Sequence, residues 1–129
     1  MNLVEITGQP CSGKSTLMNT YTFDGIKPQV YKQGLFLKLI NFIRGLIYLR
    51  LKIHLLLSWS LKEQGSFVFR MNIFRNAVSK FGIFVDLKTN YIDSRQTMIV
   101  DEGISHLPVL FQNTETHLVL ELLTSELSD

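Results

Sequence analysis

An α/β fold built on a short parallel sheet is what this sequence predicts, and three observations predict it. Leu3-Val4-Glu5-Ile6-Thr7 is a β-prone run that leads into a glycine-bearing loop and then a helical stretch. Far downstream, Thr97-Met98-Ile99-Val100 is a second apolar run, ending in the carboxylates Asp101 and Glu102. Between the two lies a long segment rich in Leu, Ile and Phe with helical spacing, so the helices form an insertion between the strands. At 129 residues the chain is a single domain, 1–129, and 46% hydrophobic residues suffice for a core.

The first run leads into Gly8-Gln9-Pro10-Cys11-Ser12-Gly13-Lys14-Ser15, which fits the phosphate-loop pattern G-x-x-x-x-G-K-[ST], with Thr16 next in line. A polyphosphate carries several negative charges, and a short loop holds it by aiming backbone N–H groups inward while the main chain approaches closely. Gly8 permits the sharp exit from the strand, and Gly13 has no Cβ to collide with a phosphate oxygen. Lys14 reaches the β- and γ-phosphates in such a site, and the Ser15 hydroxyl is a ligand of Mg²⁺. From Ser12 through Asn19 the sequence suits a helix whose positive dipole end faces the anion. The four fixed positions arise by accident in about one chain of this size in a few hundred, and the strand-loop-helix setting makes the match more specific still.

The middle of the chain is helical and basic. Lys27-Pro28-Gln29-Val30-Tyr31 reads as a short second strand or a loop, since Pro28 favours extended backbone before it. Leu35 to Leu61 is apolar enough to be tested as a membrane span, but Lys38, Arg44, Arg50 and Lys52 interrupt it before any uncharged run approaches the length a span requires. At about 100° per residue, Lys38, Arg44 and Arg50 spread around the whole circumference, so no clean polar face results. Gly45 allows either one long helix or two shorter ones meeting near Arg44-Gly45. A core-facing helix pair with Lys and Arg stems reaching outward is expected, with contact to an anionic membrane surface or a lipid-linked acceptor as the alternative. No nucleic-acid recognition motif is visible, and nucleic acid is not expected as a partner. Ser66 to Val85 carries a helical stripe of Val68, Met71, Phe74, Val78 and Phe81, and Lys88 to Gln96 links it to the second strand.

That second strand ends at the residues with the clearest chemical use. In an open parallel sheet, ligands bind beyond the carboxyl ends of the strands, so an acid closing a strand beside the loop-bearing one points at the same site. Asp101 is placed to hold Mg²⁺ directly or through water, opposite Ser15, and Glu102 to orient or deprotonate an attacking water or hydroxyl. Beyond Gly103, Ile104 to Phe111 and Thr116 to Leu123 read as helical, with Pro108 at a first turn or a kink.

The opening Met1 to Leu17, the strand closing in Asp101-Glu102-Gly103 and the basic helical stretch between them resemble the P-loop NTPase superfamily. Within it the chain is similar to small kinase-like nucleotide-binding proteins found among bacterial cell-surface polysaccharide functions. The resemblance implies a doubly wound parallel sheet that binds ATP or GTP with Mg²⁺. One departure matters: such families continue past the second motif with further strands and an arginine-bearing lid. Here the last arginine is Arg95, which leaves Arg70, Arg75 or Arg95 to supply a transition-state cation. A short or incomplete sheet, and a C-terminally truncated copy, are therefore among the expectations.

Charge and the remaining residue types narrow the rest. The formal charge of +2 is modest, but between Gly25 and Lys62 there are seven Lys or Arg and no acid, while the chain from Gly82 onward is acidic. Cys11 is the single cysteine, so no intramolecular disulfide forms, and a thiol beside a helix N-terminus allows redox control of the loop. His54, His106 and His117 lack the spacing of a zinc site, although His106, four residues after Glu102, is a candidate to face substrate. No signal segment opens the sequence, and the expected location is the cytosol, with peripheral contact at the inner face of the membrane as an extension. Three functions follow: a phosphotransferase acting on an unknown small-molecule or lipid-linked acceptor, a nucleotide-dependent module or slow NTPase at a membrane-associated complex, and an inactive copy.

Overall fold

A computed structural model describes residues 2–6, 13, 16–17, 20, 29–90, 97–101 and 103–127. Three short strands, β1 (Asn2–Ile6), β2 (Gln29–Val30) and β3 (Thr97–Asp101), form a parallel sheet in the order β1-β3-β2. β3 is the central strand, and its Met98, Ile99 and Val100 are all buried. An unbroken apolar run is what a parallel strand covered on both faces demands. The register pairs Asn2 with Thr97 through Ile6 with Asp101, and Val30 of β2 with Ile99.

The helices are α1 (Leu35–Tyr48), α2 (Ile53–Leu61), α3 (Phe67–Asn90), a 3₁₀ turn (Ile104–His106), α4 (Leu107–Leu110) and α5 (Thr116–Leu127). Gly65 takes φ +124°, a left-handed conformation open to glycine, just before α3. The Ser66 hydroxyl then accepts the Phe69 N–H at 3.2 Å, satisfying one of the free amides of the first turn. Pro108 lies in the first turn of α4, where its missing N–H does no harm. Of the two readings of Lys27 to Tyr31, a short strand or a loop, Gln29-Val30 forms the strand, and α3 runs to Asn90, beyond the stretch expected from Ser66 to Val85.

The helix pair of the middle segment breaks at a different place from the one its glycine marks. Gly45 sits inside α1, and the chain turns at Leu49 to Lys52 instead. The reason is packing. A Cβ on Gly45 would lie 2.0 Å from the Val78 carbonyl oxygen, and one on Gly82 would lie 1.7 Å from the Asn41 carbonyl oxygen. The two glycines thus let α1 and α3 approach backbone to backbone, antiparallel, along a shared seam.

α3 also joins the two parts of the core. Its Ile73, Ala77, Val78 and Phe81 pack with Leu49, Leu56, Trp59, Leu107, Phe111 and Val119 from the surrounding helices. Its Ile83 and Leu87 pack against the sheet through Tyr31, Met98 and Val100. Trp59 meets Phe111 edge to face with ring centres 5.5 Å apart, a geometry that suits the aromatic quadrupole.

A polar network ties β2 to both helices of the seam. Tyr31 Oη donates to Asp86 Oδ2 at 2.5 Å, and Arg44 Nη1 pairs with Asp86 Oδ1 at 2.9 Å. Asn41, fully buried, donates through Nδ2 to Tyr31 Oη and Gln33 Oε1, each at 2.9 Å, and accepts from Arg44. Asn90 completes the shell of Asp86. A buried carboxylate is tolerated only when its lone pairs are filled in this way.

Candidate functional site

The carboxyl ends of β1 and β3 are level. Ile6, the last residue of β1, pairs with Asp101, the last of β3, so their Cα atoms lie about 5 Å apart. Leu3, Glu5, Met98 and Val100 share the face turned to α3, and Val4, Ile6, Ile99 and Asp101 share the opposite face. Asp101 is exposed there, opposite Ile6, which precedes Gly8 by two positions in the sequence.

Of that loop, Gly8, Gln9, Pro10, Cys11, Ser12, Lys14 and Ser15 lie outside the described residues, as does Glu102. Gly13 and Thr16 are described. Gly13 adopts φ +84°, so its lack of a Cβ serves the backbone angle as well as any close approach. Its carbonyl accepts the Leu17 N–H at 3.0 Å, an i to i+4 bond, and Thr16, Leu17 and Thr20 are helical. Thr20 Oγ1 donates back to the Thr16 carbonyl at 2.8 Å. A strand, a left-handed glycine and a helical turn therefore follow one another along the chain.

Glu5 is the residue that sequence reading passed over. Its carboxylate accepts the Ser105 N–H at 3.1 Å and the Ser105 hydroxyl, at the start of the 3₁₀ turn that follows Asp101 and Glu102. Gly103 makes the contact possible, because a Cβ there would lie 2.3 Å from Glu5 Oε1. A carboxylate at the first turn of a helix satisfies free amides and opposes their partial positive charge. Glu5 thereby ties the chain leaving β3 to β1. The signal was a lone acid within Leu3-Val4-Glu5-Ile6, at a position that alternation assigns to one face of the sheet.

The other candidates are scattered. Arg70 and Arg75 lie in the amino-terminal half of α3, with Arg70 Nε buried and without a hydrogen-bond partner among the described residues, and Arg95 lies outside them. His54 is exposed on α2, and His117 Nδ1 sits 3.3 Å from Glu115 on the surface. Among the described residues, no three His, Cys, Asp or Glu side chains gather as a metal site. Among the described residues, a cavity of about 450 Å³ is lined by Asn72, Asn76, Gln112 and Asn113, and one of about 540 Å³ opens beside the Glu5–Ser105 contact, between Leu3, Phe84, Ile104 and Leu120. Compared with known protein families, characterised proteins and solved structures, the chain matches none.

Proposed function

We propose that the chain binds a magnesium nucleoside triphosphate, ATP or GTP, at the carboxyl edge of β1 and β3, as a P-loop domain of kinase-like architecture. One observation carries the reading: parallel β1 and β3 end side by side, so the phosphate-loop sequence after Ile6 and the acid Asp101 emerge at the same edge. Open parallel sheets bind ligands at that edge. In this reading Gly8 to Thr16 cradle the phosphates, Lys14 neutralises the β- and γ-oxygens, and Ser15 and Asp101 hold Mg²⁺. Glu102 takes the proton from an acceptor hydroxyl or a water as its oxygen bonds to the γ-phosphorus. The bond to the β–γ bridging oxygen then breaks, and the nucleoside diphosphate leaves. The reaction is phosphoryl transfer to a small acceptor, or hydrolysis where water takes the acceptor's place.

Calorimetric titration with Mg·ATP and Mg·GTP tests the reading. The parent chain is expected to bind one of them, and Lys14→Ala to give no binding heat with its far-ultraviolet dichroism unchanged. Equal affinity in the two proteins would overturn the assignment of the loop.

A further inference from the structure

α1 turns its apolar side to solvent. Leu35, Phe36, Leu39, Ile43 and Ile47 are 87, 76, 56, 46 and 67% exposed. At about 100° per residue they fall within an arc of about 120° that contains no charged side chain. The polar residues go the other way, with Asn41 and Gly45 buried against α3 and Arg44 drawn toward Asp86. Single apolar side chains on a surface are ordinary, whereas a continuous stripe along a whole helix marks a contact.

Charge selects the occupant. Lys32 precedes α1, Lys38 lies in its first turn and Arg50 follows it, all three exposed. No carboxylate occurs from Gly25 to Lys62. From there to Val85 the single one is Glu63, which is buried and accepts two hydrogen bonds from Asn113. A second copy docked through this face would set cations against cations. A nucleic acid would answer the cations and leave the stripe in water. An anionic bilayer surface answers both, offering headgroups to the cations and the acyl boundary to the stripe. Arg50, counted with the helix when its charges are spread around the circumference, lies in the turn after Tyr48, which removes the objection that α1 lacks a sided pattern.

We infer that α1 lies in the surface of an anionic membrane, with Leu35, Phe36, Leu39, Ile43 and Ile47 toward the acyl chains and Lys32, Lys38 and Arg50 among the headgroups. It lies on the bilayer and does not cross it, since no helix among the described residues is long and apolar enough to span. The inference stands on α1 and its flanks, independently of the nucleotide reading.

Co-sedimentation of the full chain with vesicles tests it, using phosphatidylcholine mixed with phosphatidylglycerol against phosphatidylcholine alone, at low and high salt. The chain is expected to partition onto the mixed vesicles, and high salt to weaken that partitioning. Removing three cations in Lys32→Gln/Lys38→Gln/Arg50→Gln should weaken it about 100-fold, near fivefold for each charge. Leu39→Glu/Ile43→Glu should abolish it, with Trp59 fluorescence unchanged, because both side chains are about half exposed. Failure to bind the mixed vesicles at low salt overturns the inference, as does full binding by the Glu pair. Self-association in the absence of lipid that the Glu pair abolishes would assign the face to a second copy and likewise overturn it.

Discussion

Gly45→Ala and Gly82→Ala probe the seam that fixes α1 on α3, and the geometry sets their size. The added Cβ atoms would lie 2.0 and 1.7 Å from backbone carbonyl oxygens, where ordinary contact starts near 3.4 Å, so the helices must separate by roughly 1.5 Å. A gap of 0.5–1 Å already forfeits about a quarter to a half of the dispersion attraction across it. Strain from overpacking contributes about 1–3 kcal/mol. Displacing Asn41, whose side chain bonds Tyr31 and Gln33, adds about 1–2 kcal/mol more. Alanine returns about 1 kcal/mol of helix propensity. Each variant should therefore lose about 1–4 kcal/mol. Because either change opens the same seam, the double variant should lose less than the sum of the two by about 1 kcal/mol or more. Urea unfolding followed through Trp59, the single tryptophan and a buried one, measures all three. A single variant as stable as the parent refutes the close approach, and strict additivity refutes the shared seam.

Other perturbations address the network and the site. Asp86→Ala removes the acceptor of Tyr31, Arg44 and Asn90 and should destabilise by about 2–3 kcal/mol, below the full loss for a sealed ion pair because Arg44 is 35% exposed and regains water; urea unfolding checks it. Glu5→Gln keeps the shape but replaces the carboxylate that holds Ser105, and should lower stability by about 1 kcal/mol. The same change should weaken nucleotide binding through the chain leaving β3, which titration calorimetry reads. Asp101→Asn should retain nucleotide binding in EDTA while losing most of the gain that Mg²⁺ confers, and an undiminished Mg²⁺ effect would remove Asp101 from the metal site.

What the sequence made legible is what is local. The strand Asn2–Ile6, the left-handed Gly13 and the helical Thr16-Leu17 are close in the chain, so they could be read without knowing their neighbours. The same holds in part for Pro108, read as a first turn or a kink and found in the first turn of α4. That β3 lies beside β1 was expected from the logic of parallel sheets, whereas the level pairing of Ile6 with Asp101 depends on contacts far apart in sequence. Gly45 was read by propensity as a weak point, whereas its use depends on Val78, a residue of another helix. Asp86 lay hidden for the same reason, since an acid within a helical stretch looks solvated until Tyr31 and Arg44 are placed around it. The apolar stripe of α1 read as core because periodicity gives the angle between side chains and not the direction in which they face.

That direction has an energetic meaning. Fully burying a large aliphatic or aromatic side chain contributes about 1.5–3 kcal/mol, so the five exposed residues of α1 leave on the order of 5–10 kcal/mol of burial unrealised in water. Whole domains are stable by about 5–15 kcal/mol, so the quantity rivals the stability of the fold. Rotating α1 to bury the stripe would expel Asn41 from its bonds to Tyr31 and Gln33 and break the glycine seam, and the chain adopts the other arrangement. One helix therefore carries two faces with opposite readouts. Substitution at Gly45 should lower stability by kilocalories, and substitution at Leu39 or Ile43 should leave it within about 0.5 kcal/mol, as for other surface positions. If Leu39→Glu and Gly45→Ala destabilise alike, the stripe is covered by the protein itself and no external surface is needed to account for it.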